Sequence, residues 1–264
     1  MNFTRKIWEA RLIQHFNETS VLPLIATAPS EMTASSIVFN KVNAGTVNDY
    51  EGVVDWEKID TTPIEMTFDF KKYFAGTVDD VDKAQSGNMA TLDGFASAQS
   101  KLVSEAADAY AYAKFAAGAG TKIENKTITT PEGMYNYIVD LGVALGKKKV
   151  PASNRYVVID WDALGLLQKD KRFTDNPNVL ANGIVDGQKI NGMTLIVTAN
   201  APAGTVIALY KGAVGFGQQI NELEAMRLQG AFADGVRGLN VAGAVVLNAD
   251  GVATLTYTIA EAEA

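Results

Sequence analysis

Cysteine is absent from the chain, which removes disulfides, thiolate nucleophiles and Cys-based metal sites from consideration. The absence suits a reducing cytoplasm. Histidine occurs once, as His15. With no Cys, Asp or second His at ligand spacing, it reads as a helix-face or interface residue. Prolines number only 7 against 23 glycines in 264 residues, a balance that argues against disorder and collagen-like repeats. No apolar run approaches the ~18 residues of a membrane span, so no membrane partner is expected. The early charges Arg5 and Lys6 do not fit a secretion signal. Acidic residues outnumber basic ones, leaving a net charge of −7 and disfavouring strong binding to a DNA backbone. These absences describe an acidic, soluble, cytoplasmic chain, long enough to bury roughly three-quarters of its unfolded surface.

What is present is led by the stretch from Ser35 to Phe70. Its two arms, Ser35–Val42 and Pro63–Phe70, read as strands. The second alternates, with Ile64, Met66, Phe68 and Phe70 on one face and Glu65, Thr67, Asp69 and Lys71 on the other. Between the arms, Asn43–Thr62 is too long for an ordinary hairpin loop. A two-stranded ribbon is marginal in water by itself. Its apolar residues Ile37, Phe39, Trp56 and Ile59 therefore need a surface to lie on, and a second copy of the chain would supply one.

Ahead of the ribbon, Thr4–Phe16 reads as a short amphipathic helix with Trp8, Leu12 and Phe16 four apart on one face. Asn17–Thr33 then runs extended past Pro23 and Pro29, an arm more than a domain. Behind the ribbon, Asp79, Asp80 and Asp82 suit a helix N-terminus. Asn88–Ala117 is the longest helical pattern, a rod of roughly 45 Å. Leu92, Phe95, Leu102, Ala106, Tyr110 and Ala113 fall at helical steps along it, and Gly118-Ala119-Gly120 stops it. Thr130-Pro131-Glu132 is a well-formed start for a helix over Tyr135–Gly146. Arg155–Asp160, Met193–Thr198 and Thr205–Tyr210 read as strands. Ala163–Lys169 reads as a short helix, and Phe216, Ile220, Leu223 and Met226 line one face of another. The turn Asn248-Ala249-Asp250-Gly251 and the alternating Val252–Ile259 predict a closing β-hairpin. The class is α+β.

That order, with Phe68–Gln85, Arg155–Phe173, Gly183–Thr198 and Arg227–Val246 as the carrying segments, resembles the major capsid protein of tailed bacteriophages, the Hong Kong 97-type fold. The resemblance implies an N-arm over 1–34, an E-loop over 35–70 and a P-domain with its spine helix over 71–130. An A-domain over 131–235 and a returning P-domain β-hairpin over 236–264 complete it. It implies a structural protein, not an enzyme, that assembles as pentamers and hexamers into an icosahedral head in the host cytoplasm. Double-stranded DNA would be packaged without sequence-specific binding; scaffolding, portal and decoration proteins would be further partners. The inter-subunit contact candidates are Trp8, Leu12, Phe16, Phe39, Lys41, Trp56 and Lys58. Some relatives weld subunits through Lys–Asn isopeptide bonds, for which Lys41 or Lys58 and Asn248 are the candidates here. An encapsulin-like nanocompartment shell is the alternative with the same fold.

The alternative of another class rests on Asp160-Trp161-Asp162 after an apolar strand. Haloacid-dehalogenase-type phosphatases begin this way, with one carboxylate as nucleophile and the next as acid/base. Against it, Leu164 stands where that family wants Thr or Val, and Asp162 is a natural N-cap for the following helix. Asp80-Val81-Asp82 opens like a calcium loop, but Ala84 and Gln85 occupy a ligand and the glycine position. Gly212–Gly217 has the wrong glycine order for a dinucleotide fingerprint, and no phosphate loop occurs. No metal or cofactor is expected.

Overall fold

The computed structural model describes residues 20–32, 36–42, 61–79, 88–173, 178–179, 183–227 and 233–260, together with Asp49, Trp56 and Lys58. The expected Thr4–Phe16 helix, with Trp8, Leu12, His15 and Phe16, lies outside the described residues, as do Asp80 and Asp82. The chain opens with α1 (Leu22–Ile25), β1 (Glu31–Met32), β2 (Ser36–Val42), β3 (Thr61–Thr67) and β4 (Phe70–Asp79). The long helix α2 (Asn88–Ala117) follows, then β5 (Thr121–Ile128), α3 (Pro131–Lys147), β6 (Arg155–Ile159) and α4 (Trp161–Leu167). The remainder is β7 (Asn178–Val179), β8 (Ile184–Ile190), β9 (Met193–Val197), β10 (Thr205–Tyr210), β11 (Val214–Arg227), β12 (Ala233–Val246) and β13 (Val252–Ile259).

These elements form layers. A seven-stranded sheet runs β5-β13-β10-β6-β9-β8-β7. Alternation along its central strands sends Val157, Ile159, Leu195, Val206 and Leu255 to one face, where α3 and α4 cover them with Ile138, Leu141 and Leu164. The opposite face, with Val158, Ile196, Ile207 and Val252, packs on Leu22, Ile25, Tyr112 and Phe115. The same core continues to Phe216, Ala242 and Ala244, on one face of a second sheet ordered β11-β12-β4. A third small sheet, β1-β2-β3, is the ribbon.

Local chemistry explains the ends of these elements. The Gly133 amide donates to Thr130 Oγ1 at 3.3 Å, with Pro131 in the first turn of α3. The Gly118 amide closes α2 by donating to Lys114 O at 3.0 Å. Arg155 is buried and donates to the carbonyls of Pro151, Gly142 and Val150. Its guanidinium fork thereby satisfies the backbone around the C-terminal end of α3.

Several expectations need correction. The segment holding Phe216, Ile220, Leu223 and Met226 is strand, paired with β12 from Val214 to Arg227. Glycines at 215 and 217 disfavour helix, and a full-length partner strand overrides the apparent helical spacing. The closing hairpin does not form. β12 belongs to the three-stranded sheet, whereas β13 crosses to lie between β5 and β10 in the seven-stranded one. Residues 70 and 71 both belong to β4, and residues 235 and 236 both belong to β12. Residues 20–26 are less an arm than part of the core, since Val21, Leu22, Ile25 and Ala26 are buried there. The buried side of α2 carries Ser104, Ala107, Asp108, Ala111, Tyr112 and Phe115, while Leu102 is exposed. Small side chains let the helix approach Ala242 and Ala244 closely, so packing distance decides the face over bulk hydrophobicity. β4 and β5 lacked a clear sequence signal.

Candidate functional site

The ribbon stands on a floor built by its own chain. β2 and β3 pair antiparallel with Ile37 opposite Met66 and Phe39 opposite Ile64. Ile37, Phe39, Met66 and Phe68 are buried together with Val241 of β12. Alternation along β12 puts Val241 on the opposite face from Ala242 and Ala244, so the ribbon and α2 cover opposite sides of one sheet. The floor itself is glycine. Gly217 and Gly243 are cross-strand partners, and Gly215 lies two residues along β11 on the same face. A Cβ on Gly215 would sit 2.5 Å from Phe39 Cζ, and one on Gly243 2.7 Å from Met66 Cε; one on Gly217 would collide with Ile37 Cδ1. Bare backbone lets these large side chains lie flat on the strands.

The edge of this floor is held as well. The Thr27 amide donates to Val214 O at 2.8 Å, and the Phe216 amide donates to Thr27 O at 3.3 Å. Further along the same N-terminal segment, Ser20 Oγ donates to Asp108 Oδ1 at 2.7 Å on α2. Burial pushes the Asp108 carboxyl up to about 6, opposed by hydrogen bonds from Ser20 and Asn200. One buried carboxylate thus joins the N-terminal segment, the long helix and the loop before β10.

Where β3 gives way to β4, the strand is interrupted at Phe68 and Asp69. The expectation that Phe68 and Phe70 share a face fails for this reason. Phe68 is buried in the ribbon cluster and Phe70 in the α2 cluster, on the other side of the sheet. Asp69, between them, accepts from Thr67 Oγ1 at 2.9 Å and from Lys114 Nζ at 3.1 Å. These hydrogen bonds hold its carboxyl below the usual carboxylate range, and the bond to Asp69 raises Lys114 in turn. Lys114 also lies 5.6 Å from the centre of the Tyr110 ring, which packs 5.2 Å from Phe70.

The Asp pair is structural. Asp160, not Asp162, caps α4. Its Oδ1 accepts from the Ala163 amide at 2.8 Å and from Tyr257 Oη at 2.5 Å, because the residue directly after β6 is the one with extended backbone at the helix start. Asp162 lies in the first turn. No group of three or more potential metal-ligating side chains occurs among the described residues. Nothing in this geometry supports the phosphatase alternative.

The contact candidates separate. Phe39 retains only 3 % exposure inside its own subunit, so it has no surface left for a neighbour. The apolar root of the ribbon found its partner within the chain. Trp56 is 93 % exposed and Lys58 is exposed. Lys41 lies on β2 opposite Thr62, but its side chain is outside the described residues, as are Trp8, Leu12 and Phe16. Asn248 accepts from the Asp250 amide at 3.2 Å and starts the turn before β13. Sequence reasoning missed the glycine floor, although Gly215 and Gly217 two apart in a strand carry that signal. It missed the link between Asp69 and Lys114 altogether.

A family model described as phage capsid protein matches residues 64–256, well over half of the chain. No curated protein matches. Among solved structures, the chain is similar to one from Mycobacterium phage Che8 at 22% identity, covering 84% of this chain and 85% of that one, with a TM-score of 0.65. One from Gordonia phage Cozz is similar at 14% identity, over 92% and 87%, with a TM-score of 0.67. A virus-like particle from Pyrococcus furiosus is similar at 14% identity, over 96% and 99%, with a TM-score of 0.61. At these identities the structural matches speak for the fold, and the family match speaks for the role. The chain belongs to the phage capsid protein family, as a major capsid protein with the α+β Hong Kong 97-type fold.

Proposed function

We propose that this capsid protein assembles as pentamers and hexamers into an icosahedral head around double-stranded DNA, with the ribbon beyond its buried root reaching a neighbouring subunit. The observation that carries this reading is the division of the ribbon itself. Its root residues Ile37, Phe39, Met66 and Phe68 are buried on the chain's own sheet, while Trp56 is 93 % exposed. An indole left in water is an anchor without a pocket, and a second subunit would supply the pocket.

In this reading α2 and the three-stranded sheet form the P-domain, the seven-stranded sheet with α3 and α4 forms the body of the A-domain, and the ribbon is the E-loop. The A-domain packs around the five- and six-fold axes, and the region of α2 supports three-fold contacts. Trp8, Leu12, Phe16, Lys41, Trp56 and Lys58 remain the contact set; Phe39 leaves it. Scaffolding, portal and decoration proteins are further partners, and assembly takes place in the bacterial host cytoplasm. A net charge of −7 suits an inner wall that does not trap packaged DNA by tight phosphate contacts. The protein is structural and carries out no catalysis.

Replacing residues 43–60 with a short Asp-Gly turn tests the reading, because both paired arms and the whole root remain. The expected product is a folded subunit with the parent's circular dichroism and melting temperature that fails to form stable shells under electron microscopy. Intact shells from the shortened protein would defeat the proposal.

A further inference from the structure

We infer that Asp69 is a positioning residue that fixes the angle between the ribbon and the long helix α2, through Lys114. The ribbon's apolar attachment is strong in burial and weak in direction. Ile37, Phe39 and Met66 lie on Gly215, Gly217 and Gly243, with Val241 buried beside them and Leu239, Val245 and Leu247 partly buried against the cluster. Hydrophobic contact of this kind is non-directional. Directional bonds hold the ribbon on two sides: on one, β1 pairs with β2 and the Ser30 amide donates to Val38 O at 3.1 Å; on the other, the break between β3 and β4 carries the polar contacts that reach α2.

Three observations converge on that break. Phe68 and Phe70 are buried on opposite sides of the sheet, so the chain twists between them and Asp69 is the pivot. Its carboxylate is held from both sides: Oδ1 by Thr67 Oγ1, which belongs to the ribbon, and Oδ2 by Lys114 Nζ, which belongs to α2. Lys114 is itself placed near the ring of Tyr110, which rests on Phe70 at the far side of the pivot. The pair is about half exposed, and ion pairs in such positions add little stability. Its effect is therefore on geometry. The inference rests on the capsid reading only for its consequence, which is that a set ribbon angle sets where the ribbon tip meets the next subunit.

The absence of cysteine makes a direct test available, since only introduced thiols can take a label. Spin labels at Thr61→Cys, on the exposed far end of β3, and Leu102→Cys, on the exposed side of α2, report the angle by pulsed electron resonance on the full-length unassembled subunit. The parent should give one narrow distance distribution. Asp69→Ala and Lys114→Ala should each lose it, while circular dichroism stays unchanged. The charge-swapped pair Asp69→Lys with Lys114→Asp should regain a single narrow distance. A distribution in Asp69→Ala matching the parent's would overturn the inference, as would a broad distribution in the parent itself. Because no shell is needed, a negative result here leaves the capsid reading standing, and a failure to assemble leaves this measurement intact.

Discussion

The two faces of the sheet β11-β12-β4 use the same backbone for opposite purposes. Toward α2 the sheet presents Val214, Phe216, Ala242 and Ala244 to a core that continues through Tyr112 and Phe115 into the seven-stranded sheet. Toward the ribbon it presents Val241 and a strip of glycines to a smaller core that, among the described residues, buries Ile37, Phe39, Met66 and Phe68. The first face is part of a continuous interior, where loss of one side chain is felt throughout. The second is a satellite cluster under a protruding element, so that element can loosen without the fold coming apart.

The strongest way to break the comparison is to truncate one phenylalanine on each face. Phe115→Ala, in the large core and fully buried, should lower global stability by about 3–5 kcal/mol, seen as a large fall in the urea midpoint. Phe39→Ala removes the same ring from the small core. It should speed hydrogen exchange selectively across β2 and β3 while the amides of β6, β9 and β10 keep their protection. Equal global destabilisation by the two changes would show that the ribbon root and the body are one cooperative unit.

How far this contrast can be read from the sequence depends on the kind of signal each part carries. The long helix is legible in its alanine content, and both its ends are found where composition and Gly118 place them. The ribbon arms are legible because β3 alternates over a full strand. The face of α2 was not, because the eye follows Leu102 and the packing follows Ala107 and Ala111. The path of β12 and β13 was not, because a turn such as Asn248–Gly251 says that the chain bends, but not which sheet each strand joins. The pivot was least legible of all. Asp69 and Lys114 are ordinary charged residues 45 positions apart, and only the fold brings them together. The apolar ribbon residues did signal a missing surface, but the surface for Phe39 was intramolecular.

A smaller effect separates the body from its N-terminal segment by pH. Asp108 has its carboxyl raised to about 6, first by burial, against an ordinary value near 3.8. The folded state therefore holds a proton that the unfolded chain has released, across the window between those two values. Stability from this group is fully present below about 3.8 and is lost as pH rises through about 6. Asn in place of Asp108 carries no charge and still accepts from Ser20. Asp108→Asn should accordingly gain on the parent as pH rises through that window, by on the order of 2 kcal/mol at neutral pH. Melting temperatures across the range would check it. A variant that loses stability most at neutral pH would mean that the ionised carboxylate is the preferred form and that the hydrogen bonds outweigh burial.

The smallest effect on folding should come from the ribbon's far end, and there the comparison is sharpest. Trp56 has almost all of its surface in water, so Trp56→Ala removes no described contact within the subunit. The expected change in unfolding free energy is within about 0.5 kcal/mol, as for other surface substitutions. Assembly should respond differently. If the indole fills a pocket on the next subunit, its truncation costs about 2 kcal/mol or more per contact, the range of an interface anchor. That loss recurs at each equivalent contact around a capsomer. Sedimentation of assembly reactions should show the variant left as free subunits at concentrations where the parent closes into shells. A fall of several degrees in the variant's melting temperature would instead place Trp56 within its own subunit's core. Unchanged melting and unchanged shell yield together would mean that the ribbon tip contributes nothing to the lattice, and the distinction between a buried root and a reaching tip would lose its functional meaning.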